Sequence, residues 1–503
     1  MNLTATAGRH EGRPPRETWE TVIGLEVHVQ LKTRTKMFCG CAVMFGAPPN
    51  TLVCPVCLGL PGVLPATNGR AVELAVLAGL ALTCEIAGES VFARKNYFYP
   101  DLPKGYQISQ FDRPVCGKGW LDIPAPDGVK RVAITRAHLE EDAGKLVHTT
   151  AGMSLVDLNR AGVPLLEIVS EPEMRSSEEA HAYLATLKAL LQYAGVSDCD
   201  MEKGSLRCDA NISIRPSGAT ALGTKVEIKN LNSFKAVKAA LEFEAARQAK
   251  ALESGERIAQ ETRLWDTERG ATATMRSKEE AHDYRYFPGP DLPPLRVSRE
   301  MVDRIRAVLP ELPAARRARF VSRFGLSEYD SGVLTAEQPL ADYFEAVLAA
   351  GAPEPKAAAN WIMSELLGTL NGAGKEIGET PVSAASLAEL LKLMADGTLS
   401  GKLAKQVFVE MAATGQGAGT IVKAKNLVQV TDESALAPAI EAAFAASPES
   451  VAAYRAGKAA ALGRLVGEVM KRTQGKANPQ AVNRLLVKRL GGEAAAPTQG
   501  KRS

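Results

Sequence analysis

Apolar and polar residues alternate without interruption along residues 23–31. The odd-numbered, apolar set is Ile23, Leu25, Val27, Val29 and Leu31. The even-numbered set is Gly24, Glu26, His28 and Gln30. A period of two predicts a β-strand with one buried face, and it places Glu26 and His28 on the other face, roughly 6.5–7 Å apart along the strand. One hard cation fits between such a pair, but a strand face that meets water has the same composition, so both interpretations stay open.

The same alternation returns further along the chain. Residues 207–215 and 224–230 each have one apolar parity and one polar parity, and residues 164–171 are apolar except for Glu167. An unpaired carboxylate is costly to bury, so Glu167 needs a cation nearby. If these strands share a sheet, one cleft collects a candidate site for a divalent metal and phosphate. Its lining would be Glu26, His28, Glu167, Asp209, Asn211 and Glu227. Arg207 and Lys229 have the same polar parities as their neighbours in this set and are further candidates for binding phosphate.

A run of three acids ends the segment 131–142, which begins as a strand. Glu140, Glu141 and Asp142 are adjacent, and they repel one another unless solvent or a cation relieves the repulsion.

Two close cysteine pairs follow the first strand. Cys39 and Cys41 are separated by one residue, and Cys54 and Cys57 by two. Four thiolates in two such pairs predict a tetrahedral, structural zinc site. The alternative is four buried free cysteines, and the turn-forming Pro55 inside the second pair favours zinc.

Residues 94–114 mix basic and aromatic side chains with prolines that prevent a long regular element. Lys95 and Lys104 in this segment are candidates for neutralising phosphate, with neighbouring tyrosines for stacking on bases. A structured loop whose aromatic residues fill a core has the same composition. Residues 279–296 repeat this character.

The fold class predicted from these patterns is α+β, divided into several domains over 503 residues. We expect a disordered leader over residues 1–20 and a large sheet-rich cradle domain over 21–297. Helical periodicity then takes over, which predicts an all-α domain over 298–425 and a small helical tail domain over 426–503. The glycine clusters at 372–375 and 414–419 lack the spacing of a phosphate-binding P-loop and are interpreted as helix connections.

Charge is concentrated at the end of the chain. The net charge of the whole sequence is +3, but residues 451–503 carry eleven Lys or Arg against two Glu. Such a local excess favours binding of nucleic acid, with a solvated helical surface as the alternative. The sequence contains no membrane-spanning run and no secretory signal in residues 1–20. Besides the four paired cysteines, Cys84, Cys116, Cys199 and Cys208 are scattered, so the cysteines do not form a disulfide framework and suit a reducing cytoplasm.

Long motifs in all three regions resemble one family. They include VIGLEVHVQLKT, KNYFYPDLPKGYQISQ, HLEEDAGK, DLNRAGVPLLEIVSEPE, GSLRCDANISIRP and TQGKANPQAVNRLL. The sequence is similar, from about residue 21 to about residue 490, to the B subunit of the aspartyl/glutamyl-tRNA(Asn/Gln) amidotransferase.

The resemblance implies a ligase that uses ATP and magnesium to phosphorylate the side-chain carboxylate of misacylated Glu-tRNA(Gln), Asp-tRNA(Asn) or both. Ammonia then displaces the phosphate and gives the amide. It also implies a heterotrimer with an amidase subunit, which releases ammonia from glutamine, and a small third subunit. The residues that match the family's magnesium site are Glu26, His28, Glu167 and one or both of Glu140 and Glu141.

Chemistry leads to a similar expectation without the resemblance. A carboxylate is a poor electrophile until its oxygen becomes a phosphate leaving group, and a divalent metal neutralises the charge that this transfer develops. No amidase-like segment is evident, so ammonia should come from a partner. Two rival classes remain at this stage, a subunit that only holds tRNA and a self-sufficient ligase that takes free ammonia. The acidic strand faces argue against the first, because tRNA repels carboxylates.

Overall fold

The computed structural model describes residues 18–149, 152–277, 284–425, 427, 432–473 and 476–491. The chain divides into two units, Met1–Leu312 and Pro313–Ser503. The first is rich in strands and the second is helical throughout its described residues, so the predicted α+β class is confirmed. Among the described helices, none combines the length and the apolar character that crossing a membrane requires.

The elements of the first unit are mainly strands. The strands are β1 (Trp19–Gln30), β2 (Glu89–Ser90), β3 (Ala93–Asn96), β4 (Tyr106–Ser109), β5 (Gly119–Ala125), β6 (Gly128–Glu141), β7 (Lys145–His148), β8 (Ser154–Asp157), β9 (Pro164–Ser170), β10 (Leu206–Pro216), β11 (Val226–Leu231), β12 (Glu261–Asp266), β13 (Ala271–Ser277), β14 (Phe287–Pro288) and β15 (Leu295–Arg296). The helices are α1 (Gly69–Ala81), α2 (Ser177–Tyr193), α3 (Phe234–Glu253) and α4 (Arg299–Ala307).

Strand β1 is central in an eight-stranded sheet whose order is β13-β12-β11-β10-β1-β9-β6-β5. It pairs antiparallel with β10 on one side and with β9 on the other. The register sets Glu26 opposite Asp209, and His28 opposite Glu167. On the next strand, His138 of β6 lies opposite Glu167. A smaller sheet of order β14-β3-β4 brings the two basic-aromatic segments together.

The apolar face of β1 is buried as its alternation predicts. Ile23, Leu25, Val27 and Val29 are at most 1% exposed and pack in one core with residues of α1, α2 and α3. Side chains before these helices cap their first N–H groups, which helps to fix where each begins. The three capping residues are Asn68, Ser176 and Ser233.

Two expected boundaries differ in the structure. Residues 1–17 of the leader lie outside the described residues, but Trp19 and Glu20 already belong to β1. At the other end, α4 follows the predicted cradle boundary at residue 297, yet it packs on the first core through Ile305, Met301 and Val302. An amphipathic helix goes wherever its apolar stripe is buried, which composition alone does not reveal.

The second unit is built from short helices. They are α5 (Pro313–Phe324), α6 (Glu328–Leu334), α7 (Gln338–Ala349), α8 (Pro355–Trp361), α9 (Leu367–Ala373), α10 (Ala384–Ala395), α11 (Gly401–Thr414), α12 (Ala418–Lys425), α13 (Glu433–Ala446), α14 (Pro448–Arg455), α15 (Ala461–Arg472) and α16 (Pro479–Leu490). A π-helical turn, Ile362–Leu366, joins α8 to α9. One hydrophobic core spans residues 320–422 and a separate, smaller one spans 436–490.

We expect Ile23→Ala to lower the free energy of unfolding by about 2–5 kcal/mol, because it leaves a cavity in the middle of the central strand. Ile23 is 0% exposed. Urea unfolding followed by circular dichroism measures the change. Val129→Ala, at a position that is 77% exposed, is the control and should change stability by less than about 0.5 kcal/mol. Equal losses in the two variants would contradict the central placement of β1.

Candidate functional site

Three acidic or imidazole side chains from three neighbouring strands converge on the polar face of the large sheet. His28 of β1, Glu140 of β6 and Glu167 of β9 each offer a ligand atom, and these atoms all lie within 4.8 Å of one another. His28 Nε2 is 3.2 Å from Glu167 Oε2. His138 joins the group, with its Nε2 3.1 Å from Glu140 Oε1 and 3.6 Å from Glu167 Oε2.

Glu140 is buried and is held by strand β4. Ser109 Oγ donates to Glu140 Oε1 at 2.7 Å, and Gln107 Nε2 donates to Oε2 at 3.0 Å. Burial opposes ionisation of Glu140, but the hydrogen bond and charge of His138, and then the charge of Lys95, hold its pKa well below the usual range. The carboxylate is therefore kept anionic although it is only 2% exposed.

The carboxylates of Glu140 and Glu167 raise the pKa values of two neighbouring groups, His28 and Lys95. Burial opposes protonation of His28, yet its hydrogen bond to Glu167 raises the His28 pKa. Burial likewise disfavours the charge on Lys95, but the carboxylates of Glu140 and Glu167 outweigh it and raise the Lys95 pKa. Lys95 also lies 4.9 Å from the ring centroid of Tyr284. A cluster of anions and cations that sustain one another's charge is typical of a functional site.

A β-bulge decides which of the two adjacent glutamates faces His28. The register of β6 against β9 shifts between Ile134 and Arg136, so even-numbered residues lie in the core before the bulge and odd-numbered residues after it. Glu140 consequently joins His28 and Glu167.

The carboxylate of Glu141 has different partners. It accepts from Lys104 Nζ at 2.6 Å and from the backbone N–H of Ile108 at 2.9 Å. The third acid of the run, Asp142, accepts from Gln30 Nε2 at 2.9 Å and pairs with Arg207 at 2.8 Å. The three adjacent acids thus avoid mutual repulsion by turning to three separate sets of donors.

Glu26 lies on the same strand face as His28 but outside the cluster of ligand atoms described above. Its Oε1 accepts from Asn211 Nδ2 at 2.9 Å. Further along the sheet, Lys229 pairs with Asp209 and with Glu227, the second at 3.0 Å. The predicted residues of β1, β9, β10 and β11 therefore lie on paired strands of one sheet, with a metal-type cluster in one part and salt-bridged side chains beside it.

Sequence patterns missed three residues of this site. His138 lies two residues before Glu140 and therefore on the same strand face. The sequence could have shown this, but the bulge reverses the alternation before these residues. Gln107 and Ser109 come from the short strand β4 and reach Glu140 only through tertiary packing. The basic-aromatic segments meet where Phe287 pairs with Arg94, whereas residues 278–283 lie outside the described part of the chain.

The donor set fits a hard divalent cation. Two buried carboxylates and one imidazole supply mainly oxygen ligands, which Mg²⁺ prefers. The two carboxylates repel each other, so a cation between them is electrostatically favourable.

The predicted zinc ligands also come together. One sulfur atom from each of Cys39, Cys41, Cys54 and Cys57 lies within 4.8 Å of the others, and the sulfurs of Cys54 and Cys57 are 3.9 Å apart. Tetrahedral coordination at about 2.3 Å requires sulfur atoms about 3.8 Å apart. A hydrogen bond from Cys39 lowers the pKa of the Cys57 thiol to about 4, with help from the N–H of Cys54 and from Lys36. The cluster is consistent with a structural zinc site.

The family models and the similar proteins all indicate the same family. The family model for the GatB/GatE catalytic domain matches residues 21–303, and that for the GatB domain matches residues 342–490. The chain is 57% identical over 476 residues to the B subunit of the aspartyl/glutamyl-tRNA(Asn/Gln) amidotransferase of Carboxydothermus hydrogenoformans, covering 94% of this chain and 99% of that protein. It is 56% identical over 478 residues to the protein of the same name from Geobacter sulfurreducens, covering 94% of this chain and 100% of that protein. The chain therefore belongs to the family of the B subunit of the aspartyl/glutamyl-tRNA(Asn/Gln) amidotransferase.

Proposed function

We propose that this chain is the component that activates misacylated tRNA for amidation. It uses ATP to phosphorylate the side-chain carboxylate of Glu-tRNA(Gln), Asp-tRNA(Asn) or both, and the products are Gln-tRNA(Gln) and Asn-tRNA(Asn). The single observation that carries the proposal is the convergence of His28, Glu140 and Glu167 on one face of a rigid sheet.

The chemistry divides into two displacements. In the first, a carboxylate oxygen of the aminoacyl group attacks the γ-phosphorus of ATP, and ADP leaves. In the second, ammonia attacks the activated carbonyl carbon, phosphate leaves with the bonding electrons, and the amide nitrogen loses a proton. A magnesium ion, when bound, supplies positive charge against the phosphate oxygens during the first step.

We propose that the ligands of this magnesium are His28, Glu140 and Glu167, with Glu26 completing the set. Their support is rigid, because each lies on a strand of the large sheet and Glu140 is oriented by Ser109 and Gln107. Glu141, the other glutamate that the sequence suggested, binds Lys104 instead.

Among the basic candidates for phosphate, Lys95 is the best placed. Lys104, Arg207 and Lys229 each form an ion pair with a carboxylate. Lys95 makes no such pair among the described residues, and the charges of Glu140 and Glu167 keep it protonated. It can therefore contact a phosphate without first leaving a carboxylate. Asp209, Asn211 and Glu227 line the same cleft and are proposed to contact the acceptor end of the tRNA or the nucleotide.

Partners and cofactors follow from the same proposal. The sequence has no amidase-like segment, so a partner amidase subunit supplies ammonia, and a small third subunit completes a cytoplasmic heterotrimer. The four cysteines bind one structural zinc. The tail domain over residues 426–503 binds the body of the tRNA by its phosphates, since its described residues expose Arg455, Lys458, Arg464, Lys471, Arg472, Arg484 and Lys488.

We expect Glu140→Gln and Glu167→Gln to reduce tRNA-dependent ADP formation by roughly 100-fold or more, because the neutral amide weakens the cation site that stabilises phosphoryl transfer. Glu26→Gln should act in the same direction. The assay is ADP release by the reconstituted complex with misacylated tRNA, beside a direct measurement of tRNA binding, which should not change.

Glu256→Gln is the matched control, since this glutamate is exposed. Normal ADP formation by both Glu140→Gln and Glu167→Gln would exclude the metal assignment. A fall in ADP formation that is fully accounted for by lost tRNA binding would instead favour a chain that only holds tRNA.

Deleting residues from about 432 onward should raise the Michaelis constant for tRNA and flatten the dependence of tRNA affinity on salt, because fewer phosphate contacts release fewer counterions. The removed part contains a hydrophobic core of its own, so the rest of the chain should stay folded. Glutaminase activity of the partner should survive. Equal tRNA affinity with an unchanged salt slope would show that the basic tail is only a solvated surface.

Elemental analysis of the purified chain should give about one zinc per chain. Cys41→Ser should lower both the zinc content and the melting temperature, because three thiolates hold the ion less tightly. Cys199→Ser is the control for zinc content, which it should leave unchanged, as Cys199 is buried outside the cluster. A metal-free chain that is as stable as the zinc-treated one would mean that these cysteines serve only packing.

A further inference from the structure

A buried lysine lies against the cysteine cluster. Lys36 is 0% exposed, and its Nζ is 3.6 Å from Cys57 Sγ and 3.3 Å from the backbone carbonyl oxygen of Leu158. An ammonium group is rarely buried without an anion, because losing its hydration costs several kcal/mol. Within the described residues Lys36 makes no ion pair with a carboxylate, so its anion has to be sought elsewhere.

We propose that Lys36 is the counter-ion of the four-cysteine cluster and that its charge is needed for the site to retain zinc. The inference rests on the proposed zinc site. A zinc ion with four thiolate ligands leaves a net charge of about −2. Water can screen this charge at Cys39, Cys41 and Cys54, which are partly exposed, but Cys57 is only 5% exposed. Lys36 meets the cluster at the sulfur that water does not reach.

The backbone holds Lys36 in place from two sides. Its N–H donates to the carbonyl oxygen of Cys41 at 3.0 Å, and the N–H of Met37 donates to Gly162 at 2.7 Å. Gly162 has a φ of +87°. This backbone conformation favours glycine, and a Cβ at this residue would make only ordinary van der Waals contacts, at 3.5 Å from Lys36 Cδ and 3.6 Å from Cys57 Cβ. Lys36 and Cys57 therefore run side by side next to this turn.

Two acidic side chains line the same cavity as Lys36, and both are already paired. Asp291 pairs with Arg94. Glu141 lines the same cavity as Lys36, which has a volume of about 170 Å³. Its carboxylate is bound by Lys104 at 2.6 Å and by the N–H of Ile108 at 2.9 Å. The thiolates of the cysteine cluster are therefore the anions left for Lys36 to neutralise.

The test is the rate at which zinc leaves the purified chain for an excess of a chromogenic chelator. Lys36→Met removes the charge and keeps most of the volume, and we expect zinc release to accelerate by about 10–100-fold, as for other residues that support metal ligands. Lys32→Met, at an exposed lysine of the same segment, makes the same change in net charge and should release zinc at the wild-type rate. Equal release from both variants and the wild type would overturn the inference.

A charge-compensating background makes the test specific. Cys41→His replaces one thiolate by a neutral imidazole, which remains a good zinc ligand and lowers the negative charge of the cluster. Lys36→Met should therefore accelerate zinc release less in this background than in the wild type, a coupling that a double-mutant cycle measures. An equal effect in both backgrounds would assign Lys36 to packing.

Comparing Lys36→Met in the wild-type and Cys41→His backgrounds also decides the case in which the variant fails to fold. If Lys36→Met folds only in the Cys41→His background, the charge account is supported, and if it folds in neither, Lys36 acts through packing and the inference fails. A wild-type chain that contains no zinc would reject the proposed zinc site itself, which separates that failure from the failure of the lysine's role.

Discussion

The constraint on which the first unit depends is the placement of two carboxylates, Glu140 and Glu167, side by side in a largely buried position. Each disfavours the ionised state of the other, and burial adds to that penalty. The anions persist because donors and cations surround them from different parts of the chain. His28 comes from β1, His138 from β6, Lys95 from β3 and Ser109 from β4. The small sheet thus contributes to the site through charge balance and hydrogen bonding, beyond its packing on the large sheet.

Most of the basic side chains proposed to bind phosphate are already paired with carboxylates. Lys104, Arg207 and Lys229 each have a carboxylate partner, which orients them and limits their conformational freedom. Such pairing keeps these side chains ordered, and an anion that binds any of the three cations must compete with an existing acid. Selection of a substrate can then depend on geometry as well as on net attraction.

The sequence was sufficient where a single period governs the residues. Alternation identified β1 and its buried face, and the acid and imidazole on the opposite face came from the same pattern. It was insufficient where two segments must meet. The contacts of Ser109 and Gln107 with Glu140 depend on tertiary packing, and the choice between Glu140 and Glu141 depends on a bulge of one residue. Helix α4 shows the same limit, because its helical composition does not reveal that it packs on the sheet-rich core.

The alternation of apolar and polar side chains along β1 limits how this strand can evolve. Inserting or deleting one residue near the middle of the strand would turn every later side chain to the opposite face, and would send His28 into the hydrophobic core while exposing Val27 and Val29 to the cleft. A change of two residues would preserve the faces and only move them along the sheet. Insertions and deletions within this strand should therefore come in multiples of two residues. Related proteins should differ here by substitution far more often than by single insertions.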